Sequence, residues 1–123
     1  MKKVLCLIAL VVLVTASTTS AQEWYEGGTL HTATAQQWNA GSEHDHVATA
    51  ADWIHVTTDK AIIKQVVADY PEVLHQLSIA LAQCVSKTFE GSQVNSKSSD
   101  VAVLCLAMFK GQNQNLSWLL SRK

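Results

Sequence analysis

The longest apolar stripe in this chain runs through Val73/Leu74, Leu77, Leu81, Cys84/Val85 and Thr88, bracketed by Pro71 and Gly91. Its spacing of three and four is that of one face of an α-helix. Pro71 is the only proline in 123 residues. Its fixed φ suits the first turn of a helix, and its missing N–H ends whatever helix precedes it. Gly91 is a natural stop at the other end. A long helix with one apolar face is stable only when other elements cover that face, so the remaining segments must supply the cover.

Those segments also read as helices. Thr34-Ala35-Gln36-Gln37 fits a capping box, followed by Trp38 and a stop at Gly41, which gives one short helix. Ser42 restarts the chain, and Val47, Ala50/Ala51, Ile54 and Thr58 then form a stripe backed by Asp45, Asp52 and His55, predicting a helix over Glu43–Thr57. Ile62, Ile63, Val66 and Val67 mark a third helix between Asp59 and Tyr70. Gly91–Ser99 is polar and reads as a loop that closes on an N-cap at Ser98 or Ser99. Val101–Phe109 is apolar almost all round, the pattern of a helix buried between others, with Gly111 as its stop. A strand is the rival for Val101–Leu106, but Ala, Leu and Met content, a serine cap and a glycine stop favour helix. Leu116, Trp118, Leu119 and Leu120 are expected to dock as a final turn. No hairpin signal occurs. The fold class expected is all-α, a small bundle of four to five helices in a single domain, residues 22–123.

The first 21 residues carry a different pattern. Lys2 and Lys3 precede an apolar run from Val4 to Val14, and a small, polar stretch ends in Thr19-Ser20-Ala21. This is the plan of a secretory signal peptide cut after Ala21. A membrane anchor would need about 17–25 apolar residues, more than this run offers. Cys6, near the start of the run, leaves with the signal. Both lysines leave too, so the exported part is mildly acidic, with carboxylates concentrated before Tyr70 and basic residues from Lys87 onward. The formal charge of −1 on the whole chain offers no basis for holding nucleic acid by phosphate neutralisation. No membrane contact is expected once the signal is gone.

Export also fixes the reading of the two remaining cysteines. Cys84 and Cys105 are an even pair in an oxidising compartment and predict one disulfide. Closing a loop of about 20 residues contributes roughly 3 kcal/mol in the chain-entropy picture. A redox-active pair would favour C-x-x-C spacing, and a thiolate metal site would want neighbouring His or Cys at short spacing; this pair has neither.

Glu23-Trp24-Tyr25-Glu26-Gly27-Gly28-Thr29-Leu30-His31, with Trp38, Ala48-Thr49-Ala50-Ala51-Asp52-Trp53 and the segments around Cys84 and Cys105, resembles a family of small bacterial secreted proteins. The likeness extends over nearly the whole exported chain, although position 50, often cysteine in that family, is Ala50 here. It implies a helical periplasmic domain and transfers no functional residue, since the family carries no known activity. In plan alone, the chain is also similar to periplasmic acid-stress chaperones and to toxin-immunity proteins.

Candidate sites are few. HExxH, GxSxG, P-loop and dinucleotide glycine patterns are absent, so neither catalysis nor a cofactor is expected, and Gly27-Gly28 reads only as a flexible turn. His44-Asp45-His46, with His31 and His55, is the one candidate metal set. Residues two apart on a helix project to different faces, so His44 and His46 would chelate together only from irregular backbone. Trp24, Tyr25 and Glu26 either pack back onto the bundle or present a partner-binding anchor, whereas Trp38 and Trp53 belong to the core. Thr29-Leu30-His31-Thr32 would fasten this arm, Leu30 filling a groove and the threonines capping the next helix. The leading expectation is a protein-binding module of the cell envelope, of inhibitor, immunity or stress-chaperone type. The alternative is a small metal or ligand carrier built on the histidines.

Overall fold

The computed structural model describes residues 22–90 and 95–112, with side chains through Phe109. Residues 1–21, expected to be a signal peptide, residues 91–94 at the start of the expected loop, and the tail bearing Leu116–Leu120 lie outside the described residues. Five helices follow in order: α1 (Ala35–Ala40), α2 (Glu43–Thr57), α3 (Lys60–Asp69), α4 (Pro71–Glu90) and α5 (Ser98–Gln112). Among the described residues there is no strand, and the architecture is a small all-α bundle.

Each start has a chemical reason. Thr34 Oγ1 accepts from the Gln37 amide while the Gln37 side chain accepts from the Thr34 amide, the reciprocal bonds of a capping box. Ser42 caps α2 by accepting from Asp45 N–H, with Glu43 and Asp45 near the positive end of the helix dipole. Asp59 caps α3 through Ala61 N–H. Pro71 opens α4 directly after Tyr70 closes α3.

The apolar stripe of α4 is the spine. It touches α1, α2, α3 and α5, and Leu74, Leu77, Leu81, Val85 and Phe89 are buried along it. Facing them are Trp38, Val47, Ala50, Ile54, Ile63, Val66, Val101 and Leu106. Burying a side chain of this size stabilises by about 1.5–3 kcal/mol relative to exposure, so this one face accounts for most of the cohesion.

α5 departs from expectation. Val101, Ala102, Cys105 and Leu106 are buried, but Val103, Leu104 and Met108 are 62%, 65% and 51% exposed. It is a surface helix lying on α4, and α4 is the central helix. The all-round apolar pattern misled because, among the described residues, α5 packs extensively only on α4, where a core helix would have several such neighbours. The helix also runs through Gly111 to Gln112. Cys84 and Cys105 are joined, with Cα atoms 6.1 Å apart, and this bond ties α5 to the spine. Among the described residues no helix is long and apolar enough to cross a membrane.

Candidate functional site

Residues 22–33 precede α1 and form an arm laid along α2. The surface that receives it is made by small residues: Ala48, Ala50 and Ala51 are buried, so backbone can approach backbone there. Gly28 makes the closest approach. A Cβ at that position would stand 2.7 Å from Thr49 N and 2.8 Å from its Cα, so no other residue fits without moving the arm. Gly27 supplies the left-handed turn before it, at φ 82°. The glycine pair is therefore a fitted contact where the sequence predicted only a loose turn.

Polar bonds then fix the arm at successive turns of α2. His44 Nε2 lies 2.9 Å from the Glu26 carbonyl, and Asp45 accepts from both the amide and the hydroxyl of Thr29. Thr49 Oγ1 accepts from Leu30 N–H and donates to Asp45. His31 Nε2 meets Asp52 Oδ2 at 2.7 Å. The receiving positions 44, 45, 49 and 52 recur at helical spacing on one face. Burial pushes the Asp45 carboxyl upward, but the hydroxyl and amide of Thr29, the Thr49 hydroxyl and nearby His46 outweigh it and hold the pKa below the ordinary aspartate range.

Ser98, at the start of α5, completes the latch. Its hydroxyl accepts from Ala33 N–H at 2.9 Å and donates to the Leu30 carbonyl, while its own amide donates to the Ala33 carbonyl at 2.8 Å. The expected N-cap serine thus spends its side chain on the arm. Thr29 likewise bonds Asp45 and caps no helix, although Leu30 does pack against the core as expected.

The candidate anchor residues divide. Trp24 is half-buried and stacks on His75 of α4, ring centroids 4.3 Å apart, so it packs back onto the bundle. Tyr25 meets Trp24 edge-on and stays 44% exposed, and the Glu26 side chain is exposed while its carbonyl is held by His44. Glu23 is exposed beside them. The result is a tyrosine flanked by two carboxylates, set between the Trp24 ring stacked on α4 and the Glu26 carbonyl bonded to α2.

The histidines do not converge. His44 faces the arm, whereas His46 turns to α1, stacking on Trp38 at 4.4 Å and bonding its carbonyl. His55 bonds the Ala51 carbonyl of its own helix, three turns and about 16 Å along the axis from His44. His31 pairs with Asp52. A carbonyl only accepts, so the ring nitrogens on Glu26, Trp38 and Ala51 carry hydrogens and are not free to ligate. Among the described residues no three His, Cys, Asp or Glu side chains could hold a metal ion. The structure thus gives His31, His44, His46 and His55 four separate contacts and does not bring them together; His31 and His44 hold the arm, His46 meets α1, and His55 bonds within α2.

Trp38 is fully buried, donates its indole N–H to Ser86 Oγ at 3.0 Å and stacks between His46 and Trp53. Trp53 is only partly buried, against this core. Sequence reading missed Gly28, Thr49, Ser98 and His75 as arm contacts. The signal available was the small run Ala48-Thr49-Ala50-Ala51, a flat strip on which a chain can lie. Set against protein-family models, curated proteins and solved structures, the chain matches none of them.

Proposed function

We propose that this chain is an exported, non-catalytic protein-binding module of the cell envelope, and that the arm's Tyr25 with Glu23 and Glu26 is the part that meets the partner. The reading rests on one observation: Tyr25 and Glu26 stand exposed on a backbone locked to α2 and α5 by hydrogen bonds. A side chain held in place before binding loses little entropy on association, and tyrosine is among the residues that anchor interfaces. Flanking carboxylates fit a partner with a basic face.

Export is part of the proposal. The charged start, apolar run and small-residue end of residues 1–21 support it, as does a closed disulfide, a bond that persists in oxidising compartments. So is kinship with the small bacterial secreted proteins that share the Trp24–His31 opening. Rigid presentation favours an inhibitor or immunity type over a stress chaperone, which would loosen in acid and expose its helix faces.

The test is affinity capture from periplasmic extract with the oxidised protein, compared with Tyr25→Ala and Glu26→Lys. One stoichiometric partner, lost at least tenfold in affinity with either variant, is the expected result. Equal capture by the variants would remove the arm from the interface. A rise in binding of an apolar-surface dye between neutral and acidic pH would favour the chaperone type.

A further inference from the structure

Where α2 gives way to α3, the surface carries a groove of 710 Å³ whose wall is mainly apolar. Val56, 85% exposed, and Ile63 line it. Lys60 and Lys64, both exposed, line it from α3, one turn apart on the same face. Among the described residues neither lysine is in an ion pair. Asp59 lines the groove too, but its carboxylate is engaged as the cap of α3, accepting from Ala61 N–H. With His55 neutral, two lysines against one aspartate leave a single positive charge. Thr58 is the buried member of the lining, 6% exposed, and its hydroxyl has no hydrogen-bond partner among the described residues. An unpaired buried hydroxyl is costly, and a bound acceptor would relieve that cost. A void of 10 Å³ adjoins the groove, since Thr58 and Ile63 line it as well, and core residues such as Ile54, Val66 and Leu77 close it.

The size of the groove falls among those of small-molecule sites, about 300–1,000 Å³. One positive charge fits a monoanion, and the Thr58 hydroxyl with two ammonium groups fits a head that only accepts hydrogen bonds, as a carboxylate does. The apolar wall fits a methylene chain. Helical walls have their backbone groups bonded internally and offer a peptide no free edge to pair with, whereas an acyl chain has no polar groups to satisfy. We propose that the groove binds a free long-chain carboxylic acid, with its carboxylate among Lys60, Lys64 and the Thr58 hydroxyl and its chain across Val56 and Ile63. The site is separate from the arm: His55, at this end of α2, lies about 16 Å along the axis from His44, which holds Glu26. It therefore stands or falls independently of the role given to Tyr25.

The test is titration of the oxidised protein with sodium laurate and sodium myristate below their micelle concentrations, followed by calorimetry and by the methyl resonances of Val56 and Ile63. Saturable one-to-one binding that shifts both methyls is expected, about fourfold tighter for myristate, whose two extra methylenes are half covered in an open groove. Dodecyltrimethylammonium, with a chain of the same kind and the opposite charge, should bind at least tenfold more weakly than laurate. Lys60→Glu combined with Lys64→Glu should weaken laurate at least tenfold, and because both side chains are exposed the variant keeps the fold. Equal laurate affinity in that variant, or binding that leaves the Val56 and Ile63 methyls unmoved, overturns the proposal. Unchanged laurate affinity in Thr58→Val overturns the placement of the carboxylate. Binding to phosphatidylglycerol vesicles without binding of free laurate overturns it as well, and would make this end of the molecule a membrane-docking face.

Discussion

The arm that precedes α1 and the helix that follows α4 both lie on the α2–α4 core, yet unlike chemistry fastens them. The arm is held by directional polar bonds: Thr29 to Asp45, Leu30 to Thr49, His31 to Asp52 and Ala33 to Ser98. Apolar packing adds Leu30 and Trp24. α5 is held by a covalent bond and by Val101, Cys105 and Leu106, with little polar pairing beyond its link to the arm. Polar bonds specify where each atom of an extended segment sits, at the cost of sensitivity to pH. A disulfide with apolar packing tolerates pH but depends on redox state. A segment that must hold Tyr25 in one orientation needs the first kind of fastening, and a helix that must merely cover a face manages with the second.

Breaking the second fastening has the largest expected effect. Replacing Cys84 and Cys105 with alanine should cost about 3 kcal/mol, read as a lower urea midpoint. Amide protection should fall mostly in α5. If the midpoint is unchanged, packing alone holds α5 and the contrast fails.

On the arm, Gly28→Ala places a methyl against the α2 backbone at Thr49. The strain is relieved only by moving the arm, so a loss of about 1–3 kcal/mol is expected together with faster amide exchange from Thr29 to Ala33. Ser98→Ala tests the point where both regions meet. It removes the hydroxyl that serves both the Ala33 amide and the Leu30 carbonyl and leaves them only their longer 3.3 Å bond to each other, at a cost of about 1 kcal/mol. Slow exchange at Ala33 in that variant would show that the serine is dispensable.

The smallest effect is the pH-linked one. Asp45 has a folded pKa below its unfolded value, so it stabilises the fold above the unfolded value and that contribution is lost as pH falls through the folded one. Stability of the wild type should therefore drop below about pH 4. Asp45→Asn should cost about 1 kcal/mol at neutral pH and flatten part of that drop. Parallel curves for variant and wild type would remove Asp45 from the latch.

Much of the bundle was legible because its signals are local. Capping at Thr34 and Ser42, the break at Pro71 and the stripe of α4 depend on residues within a turn or two of each other. The Cys84–Cys105 bond was legible because, with Cys6 assigned to the expected signal peptide, only one pairing was left. The status of α5 was not, because an apolar surface helix and an apolar core helix look alike until the number of neighbours is known. The latch was illegible for a related reason. Ser98 stands 65 residues from Ala33 in sequence, and a serine before an apolar run reads equally well as a helix cap. His44 and His46 were separable by helical geometry, but their partners, the Glu26 and Trp38 carbonyls, are backbone atoms that no side-chain pattern announces.

The central claim is that the arm is a fixed part of the fold that holds Tyr25 in place. Native-state hydrogen exchange of the Leu30 and Ala33 amides in the oxidised protein tests it most directly. Thr49 Oγ1 accepts from the Leu30 amide, and Ser98 Oγ, with a longer share to the Leu30 carbonyl, accepts from the Ala33 amide, so the account predicts protection approaching that of the α4 core amides at neutral pH. Exchange of both amides at the rate of an open chain would contradict it and leave Tyr25 on a loose tail.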